Sequence, residues 1–326
     1  MFSSHVLDID AQVVSVEIAG AIKAQVLERL RRRGVVVGLS GGIDSSVVAA
    51  LAVQALGSER VVGLLMPDLA SEDDSLRLGR AMAASLGIKE LVEDVAPILA
   101  AAGCYERQSQ AISMVFPDYE RGDPFKIVLP SILAAGRLNV SRLTVRGRSG
   151  TERTARMPLE ANLQLVAATN FKQRVRKMLE YYHADRLHYA VAGTPNRLEY
   201  DQGFFVKQGD GAADLKPIAH LYKSQVYALA AHLGVPDEIC RRSPTTDTFP
   251  MPQTQEEFYF SLPHHKMDLC LYARNHEVTA SDLAPVVGLS VEQVERVFGD
   301  IDQKRRATRY LHTRPLLVHP VDEVSG

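Results

Sequence analysis

Tryptophan is absent from the 326 residues and cysteine occurs only three times. The missing tryptophan constrains nothing about function. Cys104, Cys240 and Cys270 lie far apart with no CxxC pair. That spacing argues against a disulfide framework or a cysteine-rich zinc site, and it makes a reducing cytoplasm the expected setting. Apolar runs are short and broken by charges, well below the ~20 residues that span a bilayer, so no membrane partner is expected. The opening MFSSHVLDIDAQVVSVE carries acids where a secretory signal needs a basic and then an apolar region. Charge of either sign is not in excess: 37 basic and 39 acidic residues leave −2, so no basic field recruits nucleic acid. What is present, 46% hydrophobic and 23% charged residues, suits a globular chain of one or two domains at ~150 residues each.

Hydrophobic spacing gives the organisation. Apolar residues recur at helical spacing from Val13 to Arg33, with Gly34 as the stop. Val35–Leu39 is a continuous β-branched run, as in a strand buried on both faces. Helices are expected over 46–56 and 75–86, with strands over 61–66 and 89–95. This alternation predicts parallel βαβ units: an α/β fold with a doubly wound, Rossmann-like sheet flanked by helices and a helical C-terminal segment. Segment 121–160 holds eight Lys/Arg and three Asp/Glu and reads as an irregular basic excursion with a possible strand over 138–145. A helix is expected over 161–182, a short strand over 189–192, a polar loop over 193–216, a helix over 221–233 and a long loop over 243–265. From Ser281 the chain reads as helical, with Ser290 and Gln293 at capping-box spacing. His264 and His265 have no spaced partners and read as solvated loop residues.

The sharpest signal is SGGIDSS between a buried strand and a helix. Gly41 and Gly42 let successive N–H groups converge on an anion, and the helix start adds its positive dipole end. Ser40, Ser45 and Ser46 add hydroxyl donors. Asp44 would repel phosphate unless a cation lay between them, which points to magnesium. Neither GxxxxGK[ST] nor GxGxxG is present. In open α/β sheets ligands sit beyond the carboxyl ends of strands, which is where this turn falls.

VVVGLSGGIDSSVVAALA resembles the pyrophosphate loop of the N-type ATP pyrophosphatases, which cleave ATP between the α- and β-phosphates. GTPNRLEYDQGFFVKQGDGAADLKPIAHLYKSQVYALAAHLGVP (193–236) and NFKQRVRKM (170–178) resemble the matching blocks of the ammonia-dependent NAD synthetases. The resemblance implies one synthetase domain over 1–326, with an inserted basic segment at about 104–165 and a helical region at about 266–326. It implies ATP contacts at Gly38, Leu39, Ser40, Gly41, Gly42, Ile43, Asp44, Ser45, Thr194, Lys223 and Thr245 (Thr246 being an adjacent candidate). Magnesium would lie on Asp44 and Glu199, deamido-NAD on Arg174, Lys207, Asp214, Gln303 and Lys304, and the catalytic roles would fall to Asp44 and Lys223.

The implied chemistry is adenylation of the nicotinate carboxylate of deamido-NAD, with release of pyrophosphate, followed by attack of ammonia to give NAD and AMP. A homodimer is implied, as is ammonia that is free or supplied by a separate glutaminase. Three features depart from the family pattern. Asp44 and Arg174 are unusually far apart, Gln303-Lys304 stands where the family has His-Lys, and QEEFYFSLPHHKMD replaces an acidic stretch. They leave two alternatives: a diverged adenylating ligase acting on another carboxylate, and a non-catalytic adenine-nucleotide binder.

Overall fold

The computed structural model describes residues 2–70, 73–129, 133, 141–245 and 248–321. The first predicted helix is α1 (Ala11–Lys23), continued as a wider π-turn over Ala24–Arg29. It ends before the position predicted from sequence, because Arg31 already has a positive φ of 53°. Gly34 has another role: a β-carbon there would fall 2.2 Å from the Arg60 carbonyl oxygen. The alternation then proceeds as expected through β1 (Val35–Gly38), α2 (Ile43–Leu56), β2 (Val61–Leu65), α3 (Asp73–Leu86) and β3 (Lys89–Val92). Next come α4 (Ala96–Ala101), α5 (Cys104–Ser113), β4 (Phe125–Val128), β5 (Arg142–Arg146), β6 (Glu152–Arg156) and the long α6 (Leu159–Leu187). The chain continues with β7 (Ala190–Ala192), α7 (Arg197–Gln202), α8 (Lys223–His232) and α9 (Asp237–Arg241). It closes with α10 (His264–Asn275), α11 (Ala280–Val287) and α12 (Val291–Thr308).

Strands β3, β2, β1 and β7 lie side by side in that order, all parallel. Alternate residues of β1 feed opposite layers. Val35 and Val37 pack with Val47 and Leu51 of α2 and Val226 of α8, while Val36 packs with Ala184 of α6. Helices on both faces account for the unbroken apolar run and make the sheet doubly wound. Because β2 and β7 flank β1 on opposite sides, the order reverses between β1 and β7, and a crevice opens at their carboxyl ends.

Three parts differ from the sequence expectation. The basic excursion is a second sheet, antiparallel in the order β4-β5-β6. Its alternation is short: Leu143 and Val145 face a core with Ile112 of α5 and Leu165 of α6, while the Thr144 and Thr154 hydroxyls meet across strands at 2.9 Å. The start of the strand expected over 138–145 falls outside the described residues, as does Thr246. The expected loop after β7 contains α7, and His264-His265 open α10, where the His264 ring stacks on Tyr227 at 5.0 Å. At α12 the capping box is formed, with Ser290 Oγ accepting from Gln293 N and Gln293 Oε1 accepting from Ser290 N. All three cysteines are free thiols. Among the described residues no helix is long and apolar enough to cross a membrane.

The turn after β1 depends on one glycine. Gly41 has φ +72°, and a β-carbon there would lie 2.5 Å from the Ser75 carbonyl oxygen. Gly41→Ala is therefore expected to cost about 1–3 kcal/mol of stability, read as a lower urea midpoint, whereas Gly20→Ala, inside α1 with open space around it, should cost nothing or stabilise slightly.

Candidate active site

The crevice is built from the ends of β1 and β7 and the starts of three helices. Leu39 N–H donates to the Leu64 carbonyl at 2.8 Å, which keeps the chain on the sheet until the turn. Gly42, the residue before α2, offers no side-chain acceptor to cap it. The first-turn N–H groups of α2 are thus left to a ligand, the arrangement that favours an anion. The serines divide. Ser45 and Ser46 both donate to the Gly42 carbonyl, at 3.0 and 2.9 Å. Ser46 is fully buried and braces the turn without lining the crevice, which corrects its expected role as a phosphate donor. Gly41 does not line it either, whereas Gly38, Leu39, Ser40, Gly42, Ile43, Asp44 and Ser45 do.

Opposite the turn, one ammonium pairs with Asp44 and lies in the field of a second carboxylate, Glu199. Lys223, at the start of α8, is 1% exposed and its Nζ donates to Asp44 Oδ2. Asn196, the cap of α7, donates from Nδ2 to Asp44 Oδ1 at 3.1 Å. Glu199 sits in the first turn of α7 and not in a loop as expected. Its Oε2 accepts from Asn196 N at 3.1 Å and its Oε1 from Gln255 Nε2 at 3.0 Å. Burial and the neighbouring Asp44 push the Glu199 carboxyl up to about 8. Burial pulls on Lys223 in the opposite direction, yet Asp44 and Glu199 together hold its ammonium above the usual lysine range. Asp268 of α10, which the sequence reading missed, fixes the start of α8 by accepting from Lys223 N and Ser224 N at 3.1 and 2.7 Å.

The crevice has a volume of about 260 Å³ and includes Thr194 and Thr245 among its walls. Its far wall comes from α6 and was largely missed. Lys177 and Glu180 pair there at 2.6 Å, with Asp210 on the same wall. Arg176 reaches the Met66 carbonyl at 3.1 Å and Asp68 at 3.2 Å, and Lys172 joins the same carboxylate at 3.3 Å. The NFKQRVRKM pattern displayed these basic residues without saying which would turn inward.

Residues assigned by resemblance to the acyl substrate lie elsewhere. Arg174 is exposed on α6, its Nε donating to the Lys207 carbonyl at 3.3 Å. The Lys207 ammonium donates to the Tyr310 and Thr313 carbonyls at 2.8 and 3.0 Å. Asp214 accepts from Val191 N at 2.7 Å and helps fix β7. Lys304 binds the Tyr259 carbonyl at 2.6 Å and Asp300 at 2.7 Å, while Gln303 is exposed. None of these five lines the crevice.

A parallel sheet with an anion-binding turn at its switch point, facing paired carboxylates and a lysine, defines a nucleotide-binding α/β protein of the Rossmann-like class. Comparison narrows the class. The NAD synthase family model matches residues 15–116 and 145–310, and the chain belongs to that family. It is 58% identical to the NH(3)-dependent NAD(+) synthetase of Mesorhizobium japonicum, covering 97% of this chain and 99% of the relative. It is 56% identical to the protein of that name from Rhizobium meliloti, covering 99% and 97%. In fold it resembles the NMN synthetase of Francisella tularensis, with a TM-score of 0.65, 21% identity, and coverage of 95% of this chain and 99% of that one.

The buried ammonium yields a stability test. Lys223→Met strands Asp44 beside Glu199 and is expected to cost the ligand-free protein about 3–5 kcal/mol. Adding Asp44→Asn should restore part of the loss, because the stranded charge is removed. Strict additivity in urea denaturation would mean that the pair is not coupled.

Proposed function

We propose that this chain joins ammonia to the nicotinate carboxylate of deamido-NAD in an ATP-dependent ligation that yields NAD, AMP and pyrophosphate. The observation that carries this reading is the convergence of the phosphate turn, Asp44, Glu199 and Lys223 at the switch point. Membership of the NAD synthase family and the names of the close relatives support the same reaction over its alternatives.

In the first step a carboxylate oxygen attacks the α-phosphorus of ATP, and the bond to the bridging oxygen of the β-phosphate breaks. Pyrophosphate leaves carrying that electron pair. The N–H groups opening α2 donate to it, and Lys223 balances the Asp44 carboxylate beside it. Thr194 and Thr245 line the nucleotide's side of the crevice. Ammonia then attacks the acyl carbon, AMP departs, and a proton is lost to leave the amide. The chain's contribution is to position the reactants and stabilise charge, with no covalent nucleophile required.

The donor set fits magnesium. Asp44 and Glu199 both line the crevice beside a single ammonium, and a divalent cation there would favour the ionised form of Glu199, which burial and, next, Asp44 disfavour. Among the described residues no group of three or more His, Cys, Asp and Glu could hold a metal. Asp44 and Glu199 would therefore share the ion with phosphate oxygens and water. When bound, magnesium supplies charge neutralisation of the triphosphate.

A second copy of the chain is the proposed partner. Leu159, Leu163, Val166, Met178 and Tyr182 are all exposed on α6; the first three follow at four- and three-residue steps, and Arg174, Met178 and Tyr182 follow at four-residue steps nearer its C-terminus. An apolar stripe of this kind suits an interface, and it carries one of the acyl-substrate residues. The free thiols accord with the proposed cytoplasmic setting.

Incubation with ATP, magnesium, ammonium and deamido-NAD is expected to yield NAD, AMP and pyrophosphate in equal amounts. Failure to form NAD while pyrophosphate is released on another carboxylate would replace the acyl substrate. Asp44→Ala is expected to abolish deamido-NAD-dependent ATP–pyrophosphate exchange, and retained exchange would remove Asp44 from the site. Protons compete with magnesium for Glu199, so the apparent magnesium affinity should weaken as pH falls below about 8. The slope should approach but not exceed about tenfold per pH unit, and Glu199→Gln should flatten it.

A further inference from the structure

The family model leaves out residues 117–144, between its two matched stretches. This gap contains β4, and β4 touches one part of the fold with unusual regularity. The chain after Thr248 runs beside it, and alternate residues turn towards it. The Phe249 ring meets Phe125 at 5.7 Å, Met251 N donates to the Phe125 carbonyl at 3.3 Å, and Gln253 Nε2 donates to the Ile127 carbonyl at 2.6 Å. The segment bends at 249–251 and still keeps these three contacts on β4. Phe249, Met251 and Gln253 are all buried. Two residues past Gln255, Glu257 accepts from Lys126 Nζ at 2.6 Å. The intervening Gln255 faces the other way and donates to Glu199 Oε1 at 3.0 Å. Thr254 bridges to Thr245 on the crevice wall, and Gln255 N donates to the Pro244 carbonyl at 2.9 Å.

We propose that β4 and Lys126 form a strap that holds the 248–257 segment over the crevice, making Gln255 a positioning residue for Glu199 and the nucleotide site. Gln253 and Glu257 are fastened to β4 on either side of Gln255, so the amide is presented to Glu199 without an ordering cost when nucleotide binds. With Asn196 N on the other oxygen, both Glu199 oxygens are then oriented by the protein. The strap's β4 side lies outside the part that the family model covers. The proposal rests on the crevice being the ATP site, but its first test does not.

The experiment compares Lys126→Met, Glu257→Gln and their combination with Lys126→Arg as the conservative variant. Arg146→Met is the control, because it removes the Arg146–Glu152 pair of the same small sheet without touching the segment. Limited proteolysis of the ligand-free protein reads the strap directly. Both single variants are expected to raise cleavage within 248–260 by about threefold to tenfold, the combination to add little, and Lys126→Arg and Arg146→Met to match the parent. In steady state the KM for ATP should rise by a similar factor in the same variants, with kcat nearly unchanged. Equal cleavage in Lys126→Met and the parent, or equal loosening in Arg146→Met, overturns the strap. Faster cleavage with an unchanged KM for ATP overturns the link to the nucleotide site. If the crevice is not the ATP site, Asp44→Ala retains ATP–pyrophosphate exchange while the strap variants are still cleaved faster, which separates the two readings.

Discussion

An ammonium buried against Asp44, with Glu199 adding to its field, organises this protein. Lys223 opens α8, Asp44 opens α2, and Asn196 and Glu199 lie in the first turn of α7 or its cap. Three helix starts therefore converge on one charged point, each on an element that follows the sheet's central region in chain order. Removing Lys223 from water is costly in isolation. It becomes tolerable because Asp44 neutralises it, Asn196 supports Asp44, and Asp268 from α10 satisfies the backbone N–H groups of Lys223 and Ser224. The C-terminal helices are thereby joined to the nucleotide side of the sheet through a charge that neither could hold alone.

The main sheet and the phosphate turn were legible from sequence for local reasons. Val35–Leu39 is apolar without a break because β1 is covered on both sides, and SGGIDSS fixes the turn by requirements on single residues, above all the positive φ of Gly41. The resemblance then supplied Glu199 and Lys223, which periodicity alone leaves as ordinary charged residues. The small sheet escaped because β4, β5 and β6 are four or five residues long and their inward positions alternate with arginine and lysine. Helix α7 escaped because its signal is one capping box inside a polar stretch. Inward and outward faces of α6 could not be assigned either: its apolar face is discontinuous, and the basic residues at 172, 174, 176 and 177 take different directions. Lys172 and Arg176 serve Asp68 across the fold, a pairing that no local pattern encodes.

The two walls of the crevice treat charge alike. Lys223 is matched by Asp44 and Lys177 by Glu180, while Arg176 shares Asp68 with Lys172. On the proposed reading a triphosphate at the phosphate turn meets Asp44 and Glu199, with Lys223 already engaged by Asp44. At that end of the crevice attraction would come from the N–H groups at the start of α2 and from a cation bound with the nucleotide. If Asp44 and Glu199 hold a cation as proposed, the cleft would favour a metal–nucleotide complex over the bare polyanion, because the carboxylates would repel the second and help to coordinate the first. On that proposal orienting Glu199 matters, because a carboxylate turned away from the ion would no longer help to hold it. Gln255 and the Asn196 backbone hold that carboxylate from opposite sides, and the residues that steady Gln255 thereby bear on nucleotide affinity from outside the crevice.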